Sequence, residues 1–279
     1  MTTGVDLLAQ SLVKRGVDTL FFIMAGPMHE TETALAAHGI RMVDVRHEQA
    51  AAMMAHAYSR VLQRPGVCMG GSGPGALNLH GGLANALIDC APVVALGGSS
   101  PLNQIGKGAF QEIDQVAVMK PVTKWAQRVY EARRIPELID VAFRHAMSGK
   151  PGPVYLDFPG DVLHHSVADG EVEWPAFGNL HRSQRPRCEP GLAEDAVRAL
   201  AAAERPLVVF GSGVIWSQAA QALKSFVDRT GIPFYATPQA RGCVAEDHEY
   251  SYPAARSLAF KNADLVIVVG TRLSFTLNF

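Results

Sequence analysis

Glu48 stands at the head of the alanine-rich stretch RHEQAAAMMAHAYSR (46–60), in the predicted first turn of a helix that follows a strand. A carboxylate there has a plain structural reading, because negative charge is favoured at a helix N-terminus. The small residues after it, Ala50, Ala51, Ala52, Ala55 and Ala57, let a second helix or a subunit approach closely. Glu48 then sits in a buried crevice, where a carboxylate needs a polar partner. A second candidate is GGSGPGALNLHGGLANAL (70–87). Its Ser72-Gly73-Pro74-Gly75 turn brings backbone close to something, and the helix that begins there aims its amides at the same point. Asn78 and His80 lie one turn inside that helix. The alternative is a glycine-rich connection in which Gly81-Gly82 let helices pack closely, with His80 an ordinary packed histidine. A third candidate, GSGV (211–214), lies between a strand and a helix but lacks the last glycine of GxGxxG and an acidic residue placed to hold a ribose. A tight turn and a phosphate-binding turn are both open there.

Other chemistries find little support. The 10 histidines form no HExxH pattern, and the 4 cysteines (Cys68, Cys90, Cys188, Cys243) show no CxxC or metal-ligand spacing. They read as small core residues rather than a disulfide framework. Lys and Arg number 25 against 26 Asp and Glu, a net charge of −1, which leaves no basic excess for a nucleic-acid partner. Charged residues are only 18% of the chain and apolar ones 48%, so a large subunit interface is expected. No run approaches the roughly 18 apolar residues of a membrane span. MTTGVDLLAQSLVKRG lacks a continuous signal-peptide core, and the expected location is the cytoplasm.

The elements that must position these residues alternate. Helices are predicted over 5–15, 29–38, 47–63, 75–88 and 132–147, and buried strands over 19–24, 40–45, 66–70, 92–98 and 153–158. Such βα repetition predicts an α/β fold with a doubly wound, mostly parallel sheet. From about 160 to 190 the period lapses into Pro, Gly and charge, which reads as a linker. Helices then recur at 192–203, 216–230 and 254–261, and strands at 206–211, 232–237 and 264–270. The expected organisation is one domain over 1–165, a linker over 166–190, and a second, incomplete Rossmann-like α/β domain over 191–279.

Gly26-Pro27, RHEQAA with Glu48, SGPGALN and GAFQEIDQ (108–115), in this order, resemble the pyrimidine-binding domain of thiamine-diphosphate enzymes of the acetolactate-synthase and pyruvate-decarboxylase type. The resemblance covers residues 1 to about 165, and 190–279 is similar to the central domain of the same enzymes. GGSSPLNQIGKGAFQEIDQ, MKPVTKW, SGKPGPVYLDFPGDV and AARSLAFKNADLVIVVGTRL are most similar to 2-hydroxyacyl-CoA lyases and oxalyl-CoA decarboxylases. The first domain is thus expected to have the thiamine-diphosphate-binding fold. The resemblance implies that Glu48 hydrogen-bonds the aminopyrimidine ring nitrogen, favouring the imino tautomer that removes the thiazolium C2 proton. The thiazolium then stores the electron pair released when a C–C bond breaks. It further implies that Gly26, Pro27, Gly73, Pro74 and Asn78 contact the pyrimidine. Phe110 and Gln111 would face the substrate, with Gln111 sharing the catalytic work and His80 a possible neighbour.

One departure matters. The family anchors the diphosphate and Mg²⁺ through a GDG-plus-asparagine motif in a third domain, whereas Gly160-Asp161-Val162 continues without that motif. The Mg²⁺ ligands are therefore expected outside this chain, in a C-terminal diphosphate-binding domain or subunit, within a homodimer or homotetramer. The expected activity is a lyase, decarboxylase or ligase on an acyl-CoA bearing a 2-hydroxy or 2-oxo group. Alternatives are a carboligase on free 2-oxo acids and a non-catalytic subunit. On the same resemblance Arg241, Arg256 and Lys261 are candidates to hold the ADP portion of CoA, against the alternative of an ordinary solvated face.

Overall fold

The apolar runs form one parallel sheet in the first part of the chain and a second in the last. The computed structural model describes residues 1–178 and 186–277. Contacts divide the chain into Met1–Gln184 and Arg185–Phe279.

The first unit runs β1 (Thr2–Thr3), α1 (Gly4–Lys14), β2 (Thr19–Phe22), α2 (His29–Ala37), β3 (Arg41–Asp44), α3 (Glu48–Leu62), β4 (Gly66–Gly70), α4 (Pro74–Ile88), β5 (Val93–Ser99), α5 (Gln115–Met119), β6 (Trp125–Arg128), α6 (Ile135–Met147), β7 (Val154–Pro159), α7 (Gly160–His164) and β8 (Ser166–Val167). Its 6-stranded sheet has the order β3-β2-β4-β5-β7-β6, with every pair parallel. The chain moves from β2 outward to β3, then crosses back to lay β4 on the other side of β2. The loops after β2 and β4 therefore part at a topological switch point, where open α/β sheets leave a crevice at their strand carboxyl ends.

Local chemistry explains the elements. Thr3 caps α1 with a capping box to Asp6, and Gly16, at φ +75°, ends the turn that follows. Leu7, Leu8 and Leu12 on that helix are fully buried with Leu20, Met69, Leu96 and Phe158 of the sheet. Each such side chain contributes about 1.5–3 kcal/mol of burial. On the other face α3 packs on α4, and the glycines decide how closely. A Cβ on Gly82 would stand 2.5 Å from the Cβ of Ala52, so Gly81-Gly82 do serve close helix packing.

The expected α/β fold is present, and the larger sheet is wholly rather than mostly parallel. The strand β6 is absent from the expectations because it is a half-buried edge strand of mixed composition, WAQR, with no alternation to read. The stretch expected as a linker is partly structured: Ser166–Val167 pairs antiparallel with Thr2–Thr3. Beyond it Lys14 Nζ lies 4.9 Å from the Trp174 ring, and the Arg15 guanidinium 4.7 Å from that of Phe177. The part of that linker over 179–185 falls outside the described residues. Cys68 and Cys90 are buried as expected, whereas Cys188 is exposed near the start of the second unit.

The second unit contains α8 (Pro190–Ala202), β9 (Pro206–Phe210), α9 (Gly213–Trp216), α10 (Ala220–Thr230), β10 (Phe234–Ala236), α11 (Arg256–Asn262) and β11 (Leu265–Val269). Its 3-stranded parallel sheet has the order β10-β9-β11. β9 is the buried centre, while Val266 and Val268 leave one face of β11 partly open. Among the described residues no helix is long and apolar enough to cross a membrane.

Candidate active site

Glu48 is the first residue of α3, at the carboxyl end of β3, and only 8% exposed. His47 caps the helix by accepting the Gln49 N–H at Nδ1, 3.2 Å away. Glu48 Oε2 accepts a hydrogen bond of 2.9 Å from Asn78 Nδ2, one turn into α4. The carboxylate thus has the polar partner that its burial demands, donated by the second glycine-rich segment.

The turn after β4 is tightly built. Gly73 adopts φ +53°, ψ −110°, a conformation open essentially to glycine alone, and Pro74 starts α4 with its fixed φ. A Cβ on Gly73 would stand 2.3 Å from the Gln111 carbonyl oxygen, and one on Gly71 2.3 Å from Ala25 Cβ. These glycines permit close approach of chain to chain. Gly26 differs. Its φ is not positive, and a Cβ there would meet nothing within 4 Å. Neither backbone nor neighbour asks for glycine at 26, which leaves open space at the switch point between β2 and β4. Pro27, joined to Gly26 by a cis peptide, lies against Gly98 and Gly160, whose added Cβ atoms would come within 2.6 and 3.1 Å of it.

The GAFQEIDQ loop is clasped to this turn. Ser72 Oγ donates to Gln111 Oε1 at 3.1 Å, and the Gly73 N–H donates to Gln115 Oε1 at 2.5 Å. Gln111 itself is left-handed, at φ +57°. Phe110 is 83% exposed and projects from the loop. The structure therefore brings Glu48, Asn78, Gly73, Pro74, Gly26 and Gln111 to one end of the sheet. His80 is not joined to them: two positions on from Asn78, it leaves the other side of α4, half-buried.

Sequence reasoning overlooked a buried polar cluster behind the turn. Gln115, Tyr155, Asp157 and Ser99 are all almost wholly buried. Gln115 Nε2 reaches the Gly98 carbonyl (3.0 Å), Tyr155 Oη (2.8 Å) and Asp157 Oδ1 (2.7 Å). Asp157 Oδ2 accepts from Ser99 Oγ at 2.8 Å and from Arg128 Nε at 2.6 Å. Burial, with Asp157 beside it, pushes the Tyr155 phenol well above its ordinary range and keeps it a neutral O–H. The signal was legible: an aspartate inside the otherwise apolar run VYLDF must be paired. Arg128 opens onto a cleft of about 770 Å³ lined by Gln111, Gln115, Lys120 and Tyr130. That cleft lies across the GAFQEIDQ loop and is not lined by Glu48, so its size does not mark the carboxylate's site.

Glu32 was also overlooked. It lies on the buried face of α2 between Met28 and Leu35, and neither carboxylate oxygen has a partner in hydrogen-bond geometry. Burial raises its pKa to about 7, with the Asp44 carboxylate pushing the same way and the Ala25 backbone N–H opposing.

In the second unit the GSGV turn is filled by the chain itself. Cβ atoms added to Gly211 and Gly213 would stand 2.4 Å from Thr271 Cβ and 2.7 Å from Gly270 Cα, the account of a tight turn. Arg241 is ion-paired with Glu246, and Arg256 bonds the Thr276 carbonyl and lies 5.2 Å from the Phe260 ring. Lys261 is exposed, and no hydrogen bond or ion pair joins these cations among the described residues. Among the described residues, no group of three or more His, Cys, Asp or Glu side chains is placed for a metal either. The Asp161 carboxylate of Gly160-Asp161-Val162 accepts the Leu102 N–H at 3.0 Å.

A parallel sheet with a buried, amide-bonded glutamate and a glycine-lined gap at its switch point is the architecture of a cofactor-binding domain. Residues 2–118 match the thiamine pyrophosphate enzyme N-terminal TPP binding domain, and 193–279 match the central domain of the same enzymes. The chain belongs to the thiamine pyrophosphate enzyme family, that cofactor being thiamine diphosphate under its other name. It is 37% identical over 280 residues to a 2-hydroxyacyl-CoA lyase of Arabidopsis thaliana, covering 99% of this chain and 49% of the relative. It is 35% identical to the oxalyl-CoA decarboxylase of Escherichia coli strain K12 (99% and 50% covered). It is 34% identical to a probable acetolactate synthase large subunit of Methanocaldococcus jannaschii (97% and 47%). The chain thus spans about half the length of these relatives.

Proposed function

We propose that this chain supplies the pyrimidine-activating half of a thiamine-diphosphate-dependent carbon–carbon lyase acting on a 2-hydroxyacyl-CoA or 2-oxoacyl-CoA. The observation that carries the reading is the buried Glu48, bonded by Asn78 at the same end of the sheet as the open space at Gly26. These residues fit an aminopyrimidine: a carboxyl to face a ring nitrogen, an amide to orient it, and a wall without side chains. When bound, the cofactor supplies a thiazolium carbon nucleophile and a sink for the electron pair of the broken C–C bond. Glu48 holds or releases a proton at the pyrimidine ring nitrogen. Asn78 fixes one carboxylate oxygen, leaving Oε1 for the ring. Gly26, Pro27, Gly73 and Pro74 bring backbone close to the ring, and Phe110 and Gln111 stand over the substrate.

The diphosphate and Mg²⁺ are held by a further segment or subunit in this reading, since the chain spans only about half the length of its relatives. Met53, Met54, Leu62 and Ile88, large apolar side chains exposed on α3 and α4, support a homodimeric or homotetrameric interface that covers part of these helices. Similarity to the lyase and the decarboxylase favours a CoA thioester over a free acid. The likeness to the acetolactate synthase subunit keeps a carboligase on free 2-oxo acids as a second reading.

The experiment is C2-proton exchange of bound thiamine diphosphate in the full-length protein. Glu48→Gln is expected to slow it by orders of magnitude while Asn78 still bonds the amide oxygen and the fold stands. Unchanged exchange in the folded variant rejects the assignment. Equal turnover of a CoA thioester and its free acid would favour the carboligase.

A further inference from the structure

Gln115 has no task in the cofactor reading, yet four polar partners lie within hydrogen-bond distance of its amide, which is only 1% exposed. The orientation of that amide is dictated. Its nitrogen side faces the Gly98 carbonyl and the Asp157 carboxylate, which can only accept, so its oxygen must face the Gly73 N–H. Asp157 is in turn held by Arg128 and Ser99. The reverse orientation would set oxygen against oxygen and N–H against N–H in a dry site, which is costly. Gly73 needs such a hold because it has no side chain of its own and sits in a conformation few residues tolerate. Its neighbour Ser72 bonds Gln111, and one turn on Asn78 bonds Glu48.

We propose that Gln115 is a positioning residue: its bond to the Gly73 N–H fixes the Ser72–Gly75 turn, and with it the spacing between the Glu48–Asn78 pair and Gln111. Arg128 and Asp157 act through it by fixing which way the amide faces. The proposal rests on the reading of Glu48 and this turn as the groups that face the cofactor.

The test is amide exchange and ¹H–¹⁵N spectroscopy of the 279-residue chain without cofactor, with Gly73 measured against β5 amides that report global opening. In Gln115→Met, Gly73 is expected to exchange about tenfold faster relative to β5. The Asn78 side-chain resonances are expected to move with it. Tyr155→Phe removes another partner of the same amide without touching Gly73, so both readouts should stay near wild type. Gln115→Glu keeps an acceptor toward Gly73 and loses the donor toward Asp157. Its melting temperature should fall while Gly73 stays protected. Should Gln115→Met fail to fold, Gln115→Asn, one methylene too short to reach Gly73, takes its place with the same expectation. An unchanged Gly73 in the variants that lose the acceptor overturns the proposal. So does equal loss of protection in Tyr155→Phe, which would mark general loosening. No cofactor enters the measurement, so a negative result leaves the cofactor reading to the C2-proton experiment.

Discussion

Asn78 reaches across from α4 to donate to Glu48 Oε2 at 2.9 Å, and it is the side chain that keeps this carboxylate paired. Asn78→Ala leaves a largely buried carboxylate oxygen without its donor, at a cost of about 1–3 kcal/mol. Thermal or urea unfolding of the chain should show that loss. Glu48→Gln alone should cost less, and the double variant should recover part of the penalty, because no charge is then stranded. Simple additivity of the two changes would show that the pair is not coupled.

Gly75 sits in the first turn of α4, where a Cβ would stand 3.3 Å from Glu48 Oε1. Alanine is the better helix former by about 0.5–1 kcal/mol. Gly75→Ala is therefore expected to hold or raise the melting temperature while displacing Oε1 and slowing C2-proton exchange in the full-length protein. Faster or unchanged exchange would mean that Oε1 is not the oxygen that works on the cofactor.

Glu32 gives the first unit a pH dependence of definite sign. Its pKa is raised from 4.5 to about 7 by burial, so the folded chain binds a proton more tightly than the unfolded one. That contribution is complete below the unfolded pKa and is lost as pH rises through the folded pKa of about 7, by on the order of 3 kcal/mol. Urea unfolding between pH 5 and 8.5 should show stability falling with pH, and Glu32→Gln should flatten the slope. An unaltered slope in that variant would place the titrating group elsewhere.

Calorimetry of the 279-residue chain with thiamine diphosphate and Mg²⁺ should show very weak binding or none. The diphosphate carries most of the cofactor's charge and needs Mg²⁺ with oxygen ligands, which the proposed reading places in the portion of the relatives that this chain does not span. A C-terminal portion bearing those ligands should restore tight binding. Tight Mg²⁺-dependent binding by the chain alone would mean that the anchor lies within it.

What the sequence made legible follows from period and from packing. β4 and β5 are wholly buried in a parallel sheet, so their apolar runs announce them, and Glu48 is conspicuous at the head of an alanine-rich helix. Trp125–Arg128 and Thr2–Thr3 were hidden because an edge strand and a two-residue ribbon carry no period. The Asn78–Glu48 bond could not be read from either segment, since it depends on how closely two helices approach. Gln115 stands inside the GAFQEIDQ motif, but its partners Gly73 and Asp157 are far apart in sequence and adjacent only after the sheet is wound.

Ala52 lies four residues beyond Glu48, and Gly82 four beyond Asn78, so this close contact of α3 with α4 stands one turn below the hydrogen-bonded pair. Nothing softer than backbone and one methyl separates the helices there, since even a Cβ on Gly82 would fall 2.5 Å from that of Ala52. The gap between carboxylate and amide is thus gauged by a stop that cannot be compressed rather than by the reach of flexible side chains. A bulkier residue at either position would act as a wedge, tilting the two helix tips apart with the Glu48–Asn78 pair at the far end of the lever. Tolerance to substitution on these helices should accordingly be narrowest not at the carboxylate itself but at the small residues a turn behind it, where no charge or hydrogen bond marks the spot.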